Sequence, residues 1–487
     1  MKKLVLVVVS CFASVLVFAQ EKSPETSYKK RVLENVEVDI LSSYYSQDGD
    51  NAAVTGGIGT EKLTDFTPTI TISIPLNDDD VLTIDAGISA YTSASSSNLD
   101  PFDSSGASQG GDDDDDDDDD DDENFPTEAN GSPWVASSGA SQKDTWINLN
   151  ASYSHSSDDR NKIWGATISL AKEYDYSSIG FGGSYARLFN EKNTEISIKA
   201  NAFFDTWKPV YPTEIDSYNE ANQNLNSGFF SNIDILDQFG AVIDKNSSNS
   251  WSAFNTTLVD DDKRNTYSLS LSFSQILSKN AQLSVFVDVV KQEGWLSNPM
   301  QRVYFGDRAN YYIGNANSID HYTSKSNKDV FQLADDIERL PNSRFKTPIG
   351  MRFNYYLNEF LTVRTYYRYY SDDWGVSSHT ASVELPIKIG DKFTLYPAYR
   401  YYNQTAADYF APYEEHFSTQ DFYTSDYDLS EFNANQYSFG IKYTDVFTKL
   451  KIQKFGLKTI DVRYSYYERN TGLHSGIISA GFKFVMD

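Results

Sequence analysis

The sequence predicts an all-β protein, a transmembrane antiparallel β-barrel of about sixteen strands with long extracellular loops. Three observations predict this fold. Apolar or aromatic residues recur at every second position over many short segments. Short and long connections alternate between these segments, and a secretion signal precedes the first of them. The segments are rich in Tyr, Thr and Val and lack the period of about 3.6 residues that a helix requires.

The composition excludes two other classes of protein. The 487 residues include 69 acidic and 41 basic side chains, and the resulting formal net charge of −28 disfavours binding to nucleic acid. Hydrophobic residues make up only 40% of the chain. Beyond the N-terminus, no stretch approaches the roughly 20 apolar residues of a membrane-spanning helix, so a helical membrane protein is excluded.

Residues 1–19 have the pattern of a secretory signal peptide that is removed. Two lysines precede an apolar run from Leu4 to Phe18, and Val17-Phe18-Ala19 supplies the small residues of a cleavage site. An uncleaved anchor helix is the alternative, but a run of about 15 residues is short for a membrane span. Cleavage after Ala19 removes Cys11, the only cysteine, and with it disulfides, thiolate catalysis and Cys-ligated metals.

A polar periplasmic lead at residues 20–35 precedes the barrel, which is predicted to occupy residues 36–487. The first alternating segment starts at Val36. The later segments are 69–74, 81–88, 144–155, 161–173, 175–188, 194–206, 265–276, 280–293, 345–356, 359–371, 375–388, 392–404, 434–445, 458–468 and 475–486. Together they make about sixteen strands, and bacterial outer-membrane barrels have even numbers of strands.

The connections differ in length in a regular way. Tight connections lie at 77–80, 190–193, 278–280, 357–358 and 390–391. Long connections lie at about 47–65, 93–143, 207–264, 294–344 and 405–433. Short periplasmic turns at one rim and long extracellular loops at the other are typical of outer-membrane barrels. Three short connections, near Tyr174, Asp372 and Asn470, fall on the loop side and depart from the pattern.

A soluble sandwich or propeller would show the same alternation of residues. The secretion signal, the unequal connections and the aromatic strand ends, such as Tyr399, Tyr401, Phe482 and Phe484, favour the membrane barrel. We therefore expect the outer membrane of a Gram-negative bacterium, with both termini in the periplasm. The expected partners are outer-membrane lipid and the barrel-insertion machinery.

The alternation predicts which polar side chains line the lumen, because Arg or Lys facing lipid near the midplane costs about 2–4 kcal/mol. The predicted lumen residues are Arg352, Arg364, Arg368, Glu384, Arg400, Lys442, Asp461 and Arg463. They indicate either a path that favours anions or binds a ligand, or a bracing network of ion pairs with acidic groups. A barrel of this size leaves an aqueous channel unless its loops fold in and close it.

The most acidic segment lies in the connection 93–143. Asp112 to Asp122 is a run of eleven aspartates, which repel one another and predict a disordered tract. Clustered carboxylates attract Ca²⁺ weakly and diffusely, and Asp112, Asp113, Asp114, Asp115 and Asp116 are the candidate ligands. A solvated low-complexity insert is the simpler interpretation.

No motif indicates an enzyme. The five histidines form no HExxH pair, and the chain contains no P-loop. Glu414-Glu415-His416 and the segment 155–159 each combine a histidine with carboxylates, but short polar clusters are common in exposed connections. We expect a protein without catalytic activity and without a tightly bound cofactor.

Two stretches resemble a family of outer-membrane barrel proteins known only as a domain of unknown function. They are SYYSQDGDNAAVTGGIGTE at Ser43–Glu61 and YSDDWGVSSHTASVE at Tyr370–Glu384. The Val-Phe-Ala-Gln end of the signal is similar to those of Bacteroidota. The resemblance implies the fold and location, and it suggests a periplasmic redox partner, thioredoxin-like or flavin-bearing. The aspartate run and the final aromatic, Phe484, depart from the expected pattern.

Three functions remain open. The first is a porin-like transport or conduit barrel for a small polar solute, or a part of an envelope redox assembly. The second is a surface structural or interaction barrel whose acidic loops bind divalent cations, glycan or a lipoprotein partner. A barrel hydrolase that uses His379 or His416 is the third.

Overall fold

The computed structural model describes residues 31–93, 144–254, 258–322, 329–445 and 447–486. Sixteen long antiparallel strands form one sheet, in which each strand pairs with its sequence neighbours. The first strand also pairs with the last, from Glu37 opposite Val485 to Asp48 opposite His474. The sheet is therefore a closed barrel, and the predicted fold class is confirmed.

The strands match the alternating segments of the sequence closely. They are β1 (Glu37–Asp48), β2 (Leu63–Pro75), β3 (Asp80–Ser93), β4 (Asp144–Ser156), β5 (Lys162–Lys172), β6 (Tyr176–Phe189), β7 (Thr194–Trp207), β8 (Asp262–Ser278), β9 (Ala281–Gly294), β10 (Ser343–Lys346 and Ile349–Tyr356), β11 (Thr362–Ser371), β12 (Ser377–Glu384 and Ile387–Ile389), β13 (Phe393–Gln404), β14 (Phe432–Thr444), β15 (Phe455–Arg469) and β16 (His474–Met486). Several strands extend beyond the predicted ends. In β2, for example, buried Asp65 accepts hydrogen bonds from Ser89 and Thr67. A polar residue at a buried position interrupts the alternation of apolar and polar residues, so the sequence did not predict this part of the strand.

The two faces of the sheet differ in chemistry. Large apolar side chains such as Leu271, Phe439 and Ile478 are exposed on one face, and Ile168 on this face is 52% exposed. Ser, Thr, Asn and Arg predominate on the other face. An apolar outer belt around a polar interior is the arrangement of barrels that span membranes. Among the described residues, no helix is long and apolar enough to cross a membrane.

Short connections lie at one end of the barrel and long connections at the other, and we call these ends the turn rim and the loop rim. The turn rim carries the short connections, such as 279–280 between β8 and β9, and also both ends of the described chain. The loop rim carries the long connections 49–62, 208–261, 295–342 and 405–431. The connection 94–143, with Asp112–Asp122, and residues 1–19, the predicted signal peptide, lie outside the described residues.

The four long connections fold together into a compact unit that we call the plug. It contains helix α1 (Thr213–Glu220) and a three-stranded sheet of Ile235–Asp237, Tyr311–Gly314 and Val330–Gln332. The plug has its own apolar core, formed by Tyr211, Ile215, Tyr218, Leu225, Phe230, Ile233, Ile235, Trp251, Tyr304, Ile313, Phe331, Leu333, Ala334 and Ile337. The loops are thus a packed structure rather than separate hairpins.

The two faces can be tested on adjacent residues of β5. We expect Ile168→Arg to destabilise the barrel in lipid vesicles by about 2–4 kcal/mol, because the charge would enter the apolar belt. Ser169→Arg is the control, since Ser169 is on the opposite face and is only partly exposed. Denaturant unfolding of both variants in vesicles measures the difference. Equal destabilisation by the two substitutions would contradict the assignment of the faces.

Candidate functional site

The eight predicted lumen residues share one face of β10 to β15, opposite the apolar belt. Arg364 is paired with Glu384 in the strand register, and Lys442 is paired with Asp461. Six of the eight are Arg or Lys, so this side of the barrel, which we call the basic wall, carries an excess of positive charge. Their role as residues that line a pathway stays a prediction.

Three of these residues form an ion-pair network. Glu384 accepts from Arg364 at 2.9 Å and lies 3.2 Å from the guanidinium of Arg463. Glu384 and Arg463 belong to β12 and β15, with two strands between them, and such a contact forms on the concave side of a curved sheet. The side chains of Arg364 and Arg463 remain 51% and 35% exposed, so the space that they share is accessible to water.

Another arginine of the basic wall is held by aromatic rings. Arg352 lies over the rings of Phe286 and Tyr366, each 5.6 Å from the guanidinium carbon. Arg463 has a similar contact with Tyr396, at 5.8 Å. Cation–π contacts orient a guanidinium and leave its charge in place. On the basic wall, ion pairs and aromatic rings therefore hold several guanidinium groups in position, and their positive charges still face the lumen.

The opposite side of the interior is nearly neutral. Small polar side chains bond across strands β4 to β8, as in Ser152 with Thr167 at 3.0 Å and Ser197 with Ser272 at 2.6 Å. These pairs satisfy the polar groups locally and project little into the interior. The positive charge of the lumen is therefore concentrated on one side.

A buried ion pair lies at the centre of the plug. Arg302 donates two hydrogen bonds to the carboxylate of Glu214, at 2.7 and 3.1 Å, and a third to the backbone oxygen of Val54 at 2.8 Å. Both charged side chains are almost completely buried. The three residues lie in the connections that follow β9, β7 and β1. Since β1 and β9 are eight strands apart in a sixteen-stranded barrel, the plug crosses the whole opening of the loop rim.

Two glycines allow the connection 49–62 to enter this packed centre. Gly56 and Gly57 have φ of 77° and 91°, a region that favours glycine. A Cβ atom on Gly56 would lie 2.5 Å from the ring of Tyr304, and one on Gly57 would lie 2.9 Å from the backbone oxygen of Ser425. The sequence prediction of functional residues did not include this centre. In the sequence, only the run Gly56-Gly57-Ile58-Gly59 indicated that the backbone packs closely against other segments at this place.

The plug is bonded to the inner face of the barrel near the loop rim. Gln47 donates to the backbone oxygen of Glu61 at 2.8 Å, and Gln404 donates to that of Ser430 at 2.6 Å. Arg469 forms an ion pair of 2.6 Å with Asp428. The plug therefore fills this end of the lumen, whereas Arg364 and Arg463 remain accessible.

Three carboxyl groups are buried together in and beside the plug. Burial and the nearby charge of Asp426 raise the pKa of Glu338 to about 8, although Glu338 accepts hydrogen bonds from Asn298 and Thr424. Burial raises the pKa of Glu61 to about 7. Burial and Asp428 raise the pKa of Asp426 to about 6. The folded plug therefore holds the Glu338 carboxyl mostly protonated at neutral pH, and negative charge builds up inside the plug as the pH rises from about 6 to about 8.

The histidines of the two candidate clusters have structural hydrogen bonds. His416 is buried in the plug and bonds to Gln420 at 3.1 Å and to the backbone oxygen of Thr424 at 2.8 Å. His155 bonds to Asp80, at 2.6 Å, near the turn rim. Within the described part of the chain, no group of three or more His, Cys, Asp or Glu residues has the arrangement of a metal site. Asp112 to Asp116 lie outside that part, and the Ca²⁺ prediction stays untested.

A family model described as "Protein of unknown function (DUF3570)" matches residues 6–479. The chain belongs to this family. The resemblance of the two sequence stretches to a domain of unknown function is thereby confirmed at the level of the family. A comparison with curated proteins found no match.

Several solved structures are similar to this chain in fold. The Pseudomonas putida toluene transporter TodX is 10% identical, with a TM-score of 0.34, and the match covers 94% of this chain and 91% of that chain. A Pseudomonas aeruginosa FadL homologue is 10% identical, with a TM-score of 0.35 and coverage of 93% and 91%. A bacterial polysaccharide outer membrane secretin is 9% identical, with a TM-score of 0.40 and coverage of 93% and 99%. These values describe a distant likeness and indicate no solute.

The buried ion pair can be tested by substitution. We expect Arg302→Met to destabilise the plug by about 3–5 kcal/mol, because it leaves the Glu214 carboxylate buried without its partner. The double variant E214L/R302M should recover most of that loss, since it removes both charges. Limited proteolysis of the plug and denaturant unfolding in detergent measure the effect. A double variant as unstable as R302M would show that the ion pair does not account for the loss.

The buried carboxyls predict a dependence on pH. The pKa of Glu338 is about 8 in the folded protein against an ordinary value of 4.5, so between these values the folded state retains a proton that the unfolded state has lost. We therefore expect the free energy of unfolding to fall as the pH rises from about 5 to about 8, by at most about 1.4 kcal/mol per pH unit for each such carboxyl.

Denaturant unfolding at a series of pH values measures this slope. Glu338→Gln should reduce it, whereas the control Glu220→Gln, at an exposed position of helix α1, should leave it unchanged. If the slope of E338Q equalled that of the unmodified protein, Glu338 would not be the group responsible.

Proposed function

We propose that the protein is a porin-like transport barrel of the outer membrane that moves small polar solutes, with the plug controlling passage at the loop rim. The main support is the partly exposed ion-pair network of Arg364, Glu384 and Arg463 on the concave side of the closed barrel. Water reaches these charges although they lie within the barrel wall. A lumen that only braced the barrel would not need accessible charges of one predominant sign.

The orientation follows from the two rims. Long loops of such barrels face outward and short turns face the periplasm, so we place the plug at the cell surface and both ends of the barrel in the periplasm. Solute would then meet the plug first and the basic wall afterwards. The excess of positive charge on that wall favours anions over cations.

An interaction barrel at the cell surface is the second candidate. The plug exposes Phe239, Val242 and Phe417, and Phe239 is 84% exposed. Exposed apolar side chains on a loop surface support binding to a lipoprotein or glycan partner. The envelope redox partner and the Bacteroidota origin stay predictions from the sequence.

Single-channel recording in planar bilayers tests the transport proposal. We expect the unmodified protein to conduct rarely and R302M to open more often, because the substitution loosens the plug. The double variant E214L/R302M is the control, because it should restore the packing of the plug and therefore conduct as rarely as the unmodified protein. The reversal potential in a KCl gradient should shift toward that of chloride.

Liposome swelling with small organic anions provides a second measurement of transport. The proposal is contradicted if neither the unmodified protein nor R302M conducts or admits these solutes. In that case, pull-down from native outer membranes with and without F239S would examine the interaction barrel.

A further inference from the structure

One connection at the turn rim is longer than the others of the described chain and contains three lysines. It joins β14 to β15, and its residues 447–454 have the sequence FTKLKIQK, without an acidic side chain. We call these eight residues the lysine hairpin. The turns 157–161 and 190–193 at the same rim consist only of polar and charged residues. The lysine hairpin differs from them because it is both basic and apolar.

Hydrogen bonds give the lysine hairpin a defined conformation. The carboxylate of Asp445, which precedes the hairpin, accepts from three of its backbone N–H groups, at 2.8, 3.3 and 3.4 Å. Lys451 pairs with Gly456 and Ile452 pairs with Phe455, at the start of β15. The hairpin is therefore attached to the end of the barrel wall, and the positions of its side chains follow from the register.

The register continues the lipid-facing side of the barrel onto the lysine hairpin. Ile478 of β16 belongs to the apolar belt, and alternation along this strand places Met486 on the same face. Phe455 is opposite Met486, and Ile452 is opposite Phe455. Residues opposite one another in an antiparallel pair lie on one face of the sheet. Ile452 therefore lies on the side of the barrel that faces lipid.

The apolar side chains of the hairpin extend the apolar belt past the end of β14. The backbone N–H of Leu457 donates to the oxygen of Leu450 at 2.7 Å, so the pairing continues and alternation places Leu450 on the same face as Ile452. Leu450, Ile452 and Phe447 are 57%, 66% and 74% exposed, compared with 53% for Phe439 within the belt. Such side chains need an apolar environment beside the barrel, and lipid already provides it there.

Two lysines of the hairpin are available to a ligand outside the protein. Lys449 and Lys454 are exposed, and neither is part of an ion pair with a described residue. The Nζ atom of Lys449 lies 5.6 Å from the centre of the Phe447 ring, so the charge is next to an exposed apolar side chain. A long lysine side chain can hold its ammonium at the level of the headgroups while its apolar neighbours enter the hydrocarbon.

We propose that the lysine hairpin is an interfacial anchor that binds anionic phospholipid. Its three exposed apolar side chains enter the edge of the hydrocarbon, and Lys449 and Lys454 contact the headgroups. The bilayer is the favoured occupant because the hairpin continues the surface that lipid covers, and because clustered lysines beside a membrane attract anionic lipid. The chain as a whole has a net charge of −28, so the attraction must come from a local group of cations such as this one.

Site-directed fluorescence in lipid vesicles tests the anchor. Cys11 is the only cysteine of the chain, so a C11S background accepts a bimane label at one new cysteine. Ile452→Cys reports on the hairpin, Phe439→Cys on the apolar belt, and Asp158→Cys on the exposed turn between β4 and β5. The vesicles contain phosphatidylcholine and phosphatidylglycerol, and the acyl chains of one or the other lipid carry bromine as a quencher.

We expect both brominated lipids to quench the Ile452→Cys label, with about twofold or stronger quenching by the phosphatidylglycerol, because the lysines gather this lipid. Quenching of the Phe439→Cys label should be equal for the two lipids, and the Asp158→Cys label should respond to neither. The double substitution K449Q/K454Q should remove the preference for phosphatidylglycerol and leave the remaining quenching in place. Raising the salt concentration to about 1 M should do the same with both lysines present.

Two results would overturn the anchor. If the Ile452→Cys label is not quenched while the Phe439→Cys label is, the hairpin lies outside the bilayer and its apolar surface is free for a protein partner. Equal quenching by the two lipids at low salt, with both lysines present, would show that anionic lipid is not the ligand. The comparison at two salt concentrations decides the question even if K449Q/K454Q does not fold. Neither result depends on whether the barrel conducts.

Discussion

The pairing of the first strand with the last is the constraint on which the rest of the structure depends. Hydrocarbon offers no partner to a backbone N–H or C=O group, so a sheet in a membrane must have no free edge. The register of β1 with β16 runs without interruption from Glu37 to Asp48 and removes that edge. Closure then forces every strand to present one face to lipid and one face inward.

This division explains where polar and charged groups occur. The outer belt consists of side chains that lipid can solvate, and the inner face receives the Ser, Thr, Asn and Arg residues that lipid would exclude. The interior is not uniform, however. Neutral pairs and the balanced Arg264–Asp205 ion pair lie on β4 to β8, whereas the excess of positive charge lies on β10 to β15. The plug occupies the end of the lumen at the loop rim.

The strands and short turns were predictable from the sequence because both are local signals. Alternation with period two marks a half-buried strand, and Asn190 and Gly390 adopt the positive φ of the tight turns in which they lie. The parity of each strand is also sufficient to assign Arg364, Glu384 and Arg463 to a common face. Their mutual contact was not predictable, because it depends on the curvature of the sheet.

The plug could not be predicted for a similar reason. Arg302 and Glu214 are 88 residues apart in the sequence, and Arg302 and Val54 are 248 apart. No local sequence pattern could therefore predict that these residues contact one another. The composition of the long connections indicated loops, and only the glycines of Gly56–Gly59 signalled a close approach of backbone.

The contacts of Val54 also bear on the order of assembly. The connection that contains Val54 is synthesised early, yet Arg302 and Ser425, which surround it, belong to segments that follow much later in the chain. Contacts between distant segments form late in folding because closing long loops costs entropy. The mouth of the barrel is therefore sealed by segments from both halves of the chain, and the seal cannot be complete before the segment that carries Ser425 is available.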